Sequence, residues 1–299
     1  GAMGCCRRLG VGCLLLCLAA VVPATAHGLG VSRLETPIPL SVLYVGAGVT
    51  VAVTAGWLGR THKPDYPQVS TRTIISVPPT IAAGLRISGH LGFFTAFVAV
   101  LITGLIGPPG WTQNFATIFV WPLWLKGVGL AAILVGSPWR VLSPWRTLYR
   151  GLVALEGREF AVAGQYPSWL GEWPALIGFL VWIGIIENLT HIPRLPAATA
   201  AIVAMYTVVM VLGGVLFGDK WFEHADALAV LYRLFGRAAP IHPTRANNGG
   251  FEVVLRAPWR GTTSPVSSFA LVGFVVATVY TVSFDGFTYT PEYQTLLFA

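Results

Sequence analysis

Charge is what this chain has least of: Asp, Glu, Lys and Arg make up 10% of its 299 residues, against about 25% in a soluble globular domain. With 55% of positions drawn from AVILMFWYC and a mean hydropathy of +0.69, it reads as an integral membrane protein. Cysteine is confined as well. All four (Cys5, Cys6, Cys13, Cys17) fall near the start, so the remainder excludes disulfides, thiolate metal sites and cysteine nucleophiles. A phosphate-binding P-loop, a dinucleotide fingerprint and a G-x-S-x-G serine elbow are also missing.

The cysteine-bearing segment has a reading of its own. Gly1-Ala2 ahead of Met3 looks like a cloning remnant, and 3–26 has the parts of a cleavable signal peptide. Arg7 and Arg8 lead, an apolar stretch covers 11–22, and Ala24-Thr25-Ala26 supplies small residues for cleavage. Cleavage makes His27 the mature N-terminus; an uncleaved first anchor is the alternative.

Six apolar runs follow, at 40–58, 89–106, 115–135, 173–192, 197–217 and 267–282, and each is read as a crossing of a hydrocarbon core about 30 Å thick. The expected fold class is all-α: a polytopic transmembrane helix bundle forming one domain over 27–299. Lys and Arg are unevenly divided among the connections. Four fall in 59–88, four in 136–172 and six in 218–266, whereas the alternate segments hold only Arg33 and Arg194, fourteen against two. Cytoplasmic connections carry the excess. The count therefore puts the mature N-terminus and the C-terminal tail outside the cytoplasmic membrane. It also accounts for the net charge of +7 and leaves no support for nucleic acid as a partner.

Two basic connections carry helical patterns. In 136–172, Trp145, Leu148, Leu152 and Leu155 share one face and Arg146 and Arg150 another, after the tandem units Ser137-Pro138-Trp139-Arg140 and Ser143-Pro144-Trp145-Arg146. In 218–266, Leu228, Leu231 and Phe235 share a face. Both are expected to be short amphipathic helices in the cytoplasmic interface, with the Trp and Arg of the units in the headgroup layer. An anion-binding role for the arginines is the competing reading. Asn247-Asn248-Gly249-Gly250 marks a turn, and a strand is expected after it over 251–256.

Ionisable groups inside the apolar runs are costly, so each is a functional candidate. Lys126 lies in the middle of 115–135 beside Pro122, either as a functional cation, including a counter-ion for Glu187, or as a structural ion pair. Glu187 and His191 end the run that begins at Trp173, four positions apart and so expected on one helical face. In the expected topology that end faces outside, as do His27 and Asp285. Two imidazoles with one or two carboxylates suit a divalent transition metal such as zinc or copper. The bland alternative is that Glu187 and His191 cap and anchor a helix end. His90 is read as a satisfied structural histidine.

The Ala26-His27-Gly28-Leu29-Gly30 start, Pro37 and Pro39, Ser143-Pro144-Trp145-Arg146-Thr147-Leu148, the Glu187 helix, and Trp221 with Ala225-Asp226 leading to Tyr232 together resemble the integral membrane family described as fenitrothion hydrolase-like. Members of that family are longer, with further spans. The resemblance implies hydrolysis of a hydrophobic organophosphorus ester, helped by one or two metal ions, and identifies no catalytic residue. Combined with the residues above, it suggests a membrane hydrolase in which His27, His191, Glu187 and Asp285 serve as metal ligands, Glu187 as base and Lys126 as charge stabiliser. A transporter or channel-like component lined by Lys126, Glu187 and His90, and a non-catalytic metal-binding envelope protein, are the other readings. The bilayer is the expected partner, a hydrophobic small molecule the expected substrate, and oligomerisation is left open.

Overall fold

Proline and glycine punctuate this chain into mostly helical elements, and the computed structural model describes residues 72–246, 248–262 and 268–288, with isolated helical positions between 45 and 56 and at 293 and 295. Two units are separable, Gly1–Pro67 and Gln68–Ala299. In the first, helical backbone at 45–46, 48–49, 52–53 and 56 falls inside the expected span at 40–58.

The second unit opens with strand β1 (Arg72–Val77) and helix α1 (Pro79–Ile106). Proline at the first helical position, where no N–H partner is needed, starts α1 ten residues before the expected boundary. Its 28 residues extend about 42 Å at 1.5 Å each, longer than a hydrocarbon core. Helix α2 (Phe115–Val135) returns after a hairpin stitched by Asn114. The Asn114 side-chain oxygen accepts from Ala116 N–H, and its NH2 donates to the Thr103 and Pro108 carbonyls at 2.8 and 2.7 Å, so the one buried polar side chain of this turn is satisfied while it holds the turn to both helices.

Helices α3 (Trp139–Leu142) and α4 (Pro144–Glu156) follow, then α5 (Trp173–Glu187), α6 (Pro196–Phe217), α7 (Asp219–His224) and α8 (Ala227–Arg237). Strands β2 (Ile241–Arg245) and β3 (Phe251–Leu255), helix α9 (Trp259–Thr262) and helix α10 (Phe269–Thr288) complete the described chain. The expected strand is β3. It is the middle of a three-stranded antiparallel sheet ordered β1-β3-β2, so the connections 59–88 and 218–266 pair with each other. The β2–β3 turn uses Gly249 at φ +85°, and Arg86 of α1 reaches the Gly249 carbonyl.

Among the described residues three helices, α1, α2 and α6, are long and apolar enough to cross a membrane; α5 is shorter, at 15 residues. Only 17% of the most apolar window of α1 is buried, against 33% for α2 and α6, so α1 lies on the outside of the group. Its Leu91, Ile102 and Leu105, like Met205, Val208 and Leu212 of α6, point away from the core. Such a coat of apolar side chains is compatible with lipid and unfavourable in water.

The two helices expected at the interface each pack one face into the protein. In α8, Leu228, Leu231 and Tyr232 are buried against α2 and α5, and the Tyr232 hydroxyl donates to the Trp124 and Leu125 carbonyls. In α4 the buried face is Trp145, Arg146 and Tyr149, packed on α6, while Leu155 is 87% exposed. The expected face is thus divided: Trp145 is buried and Leu148 packs against the core, whereas Leu152 and Leu155 are exposed.

Candidate functional site

Among the expected site residues the structure brings two together. Lys126 Nζ lies 3.2 Å from Glu187 Oε1, joining the middle of α2 to the end of α5. Both sit in π-helical stretches, Phe119–Gly127 and Leu180–Glu187. In α2 this wider winding contains Pro122, whose missing N–H already breaks the ordinary ladder. π-Helical turns recur at functional sites because they re-aim side chains out of the regular 3.6-residue register. The Glu187 side chain is 15% exposed and that of Lys126 58%, so the carboxylate is the buried member and the flexible lysine stem reaches to it.

The remaining expectations fare differently. Glu187 and His191 do not share a helical face: the π-helical stretch ends at Glu187, the helix runs out within two residues, and His191 is an exposed residue starting the 3₁₀ turn Ile192–Arg194. The wider π turn and the early stop both break the i, i+4 geometry. Asp285 lies within α10, with its side chain outside the described set, and His27 lies outside the described residues. Among the described residues no three His, Cys, Asp or Glu converge as a metal site. His90 meets Thr147 of α4, Nδ1 to Oγ1 at 3.4 Å.

A second polar centre went unnoticed in the sequence. Asp226, fully buried at the start of α8, accepts from the indole N–H groups of Trp139 and Trp145, both at 2.8 Å on Oδ2. Its Oδ1 takes the Tyr206 hydroxyl and caps α8 through Leu228 N–H. The two tryptophans are the same position of the tandem Ser-Pro-Trp-Arg units. They are not in a headgroup layer: Trp139 is 1% and Trp145 0% exposed, and their rings lie 5.4 Å apart in a cluster with Trp124 and Tyr232. Burial pushes the Asp226 carboxyl up from its ordinary value, and the donors from Trp139, Trp145, Tyr206 and Leu228 pull against that rise. The repeat, read beside a lone Asp before an apolar helix, was the signal that could have found this centre.

The arginines of the same two units also act as a pair. Arg146, its side chain 5% exposed, holds Asp219 at 3.0 Å and Glu223 at 3.7 Å, while Arg140 holds Glu223 at 3.3 Å. Burial lowers the Arg146 pKa and the Asp219 charge raises it back. Nearby, buried Glu172 accepts from Ser268 at 2.6 Å and from Arg233 at 3.4 Å. The His224 ring stands 3.4 Å from Glu172 without hydrogen-bond geometry and stacks on Tyr166.

No family model, no curated protein and no solved structure matches this chain.

Proposed function

We propose that this chain is a polytopic protein of the cytoplasmic membrane that hydrolyses a hydrophobic, organophosphorus-type ester reaching it from the bilayer, with Lys126 and Glu187 as the reacting pair. The observation that carries the reading is their 3.2 Å contact between two π-helical stretches. An ion pair in an apolar bundle is costly to desolvate, and a site of activity is a reason for keeping one. In this reading Glu187 takes a proton from water while the water oxygen bonds to phosphorus. The bond from phosphorus to the leaving oxygen breaks, and that oxygen departs with the electron pair. The Lys126 ammonium offsets the negative charge developing on the phosphoryl oxygens.

Six spans after a cleaved signal peptide, with both mature ends outside, complete the proposal. The joining of the basic connections, 59–88 with 218–266 through the sheet and 136–172 with 218–266 through Asp226 and Glu223, supports placing all three on one side of the membrane. His27, His191, Glu187 and Asp285 would hold a zinc or copper ion, which when bound supplies Lewis acidity. Of these four, Glu187 and His191 are described, and Glu187 is paired with Lys126.

The test uses purified protein in lipid nanodiscs with a chromogenic phosphotriester. Glu187→Gln is expected to lower kcat by about 100-fold or more, the scale of a lost general base, with Lys126→Met also impaired and helicity unchanged. Hydrolysis that survives Glu187→Gln would remove Glu187 as the base, and a parent protein that hydrolyses nothing would sink the enzymatic reading and leave transport through the same ion pair as the successor. Metal analysis of the parent and His191→Ala reads the metal proposal separately, since a metal content that is nil, or equal in both, removes His191 as a ligand.

A further inference from the structure

The tandem Ser-Pro-Trp-Arg units do more than hold Asp226. Their arginines, with Arg233 of α8, line a cavity of about 330 Å³ between α3, α4, α7 and α8, within the range of small-molecule sites. All three guanidinium groups converge on one residue of α7. Arg140 and Arg146 reach the Glu223 carboxylate at 3.3 and 3.7 Å, and Arg233 donates to its backbone carbonyl at 2.9 Å. Of the carboxylates paired with these arginines it is the most exposed, at 39% against 36% for Asp219 and 6% for Glu172. Arg146, by contrast, is nearly enclosed and clamped by Asp219. A planar guanidinium held rigidly, with two more at the rim, is the arrangement that recognises an oxyanion by forked hydrogen bonds.

We propose that this cavity binds a phosphate group, with the Glu223 carboxylate as an internal stand-in that the ligand displaces. Burying a guanidinium is expensive, and Glu223 offsets the cost when no ligand is bound. Asp226, Asp219 and Glu172 also carry negative charge near the cavity. Asp226 is saturated by its four donors, while Asp219 and Glu172 are committed to Arg146 and Arg233. Glu223 is thus the carboxylate with freedom to swing out. The phosphate could be free or carried by the headgroup of an anionic lipid, because the cavity residues follow the ends of α2 and α6 and basic pockets at helix ends take such headgroups.

The experiment titrates purified protein with inorganic phosphate by calorimetry, and separately with phosphatidylcholine vesicles with and without phosphatidylglycerol. Arg140→Gln/Arg233→Gln is expected to bind at least about tenfold more weakly, on the scale of lost charge-assisted hydrogen bonds. Glu223→Gln is expected to bind more tightly, a gain that a merely structural carboxylate would not produce. Arg158→Gln, an exposed arginine outside the cavity, should change nothing. Phosphate binding alone identifies a free ligand, and a response to phosphatidylglycerol alone a headgroup; both uphold the site. Failure of both probes, or unchanged affinity in the double variant with its helicity and thermal midpoint at parental values, overturns it.

Discussion

Asp226 shows how one side chain can organise a membrane-type core. Its four donors come from four separate elements, α3, α4, α6 and α8, so exchange of the carboxylate for an amide puts an NH2 against N–H groups it cannot accept from. Asp226→Asn should therefore lower stability by about 2–4 kcal/mol, the cost of one or two unpaired buried donors. A parental thermal midpoint in detergent would show that the indoles find other partners. Tyr166 carries a pH signature at the same scale. Burial, followed by the Glu172 charge, pushes its phenol up to about 12, against about 10 for an unfolded tyrosine. The folded state keeps this proton longer. Its stabilising contribution is complete below pH 10 and is lost as the pH climbs to about 12, so Tyr166→Phe should flatten the alkaline fall in stability and remove the phenolate absorbance titrating near 12.

Among elements, the α6–α7 corner depends on absent side chains. A Cβ on Gly213 would collide with the Trp221 ring, and one on Gly214 with Phe222. Gly213→Ala should cost about 1–3 kcal/mol as overpacking, read as a lower thermal midpoint with unchanged helicity; a neutral effect would mean that Trp221 has room to swing. Both glycines let α7 approach α6 closely. The amphipathic pattern of α4 and α8 picked out residues that are covered, Leu228 and Leu231 in α8 and Trp145 in α4, but a helical stripe shows that one face is covered without naming the cover. In α4 the aromatics Trp145 and Tyr149 beat Leu152 and Leu155 to the interior, and Arg146 followed them because Asp219 awaited it. Strand β3 was legible from its turn, but β1 was not, since its partner strand is distant in the chain: the Thr73 hydroxyl donates to Glu252, 179 positions away.

At the scale of the whole molecule, the orientation rests on where lysine and arginine fall. Gln113→Cys in the short α1–α2 turn and Arg158→Cys beyond α4 are both at exposed positions, on connections assigned to opposite sides. In intact cells an impermeant thiol reagent should modify Cys at 113 and leave Cys at 158 untouched until the membrane is opened. Equal labelling of both would overturn the topology. The chain by itself determined the apolar, membrane-compatible character of its long helices and most of the helix positions, because hydropathy and helix boundaries set by proline and glycine are sums over neighbours. It could also nominate Lys126 and Glu187, since a charge in an apolar run stands out one residue at a time. Only the tertiary structure decided what each charge meets. The Lys126–Glu187 contact, the two indoles on a carboxylate 87 and 81 positions away, and the arginines around Glu223 are pairings across distant segments, chosen by which helices pack together and by the cost of leaving a buried polar group alone.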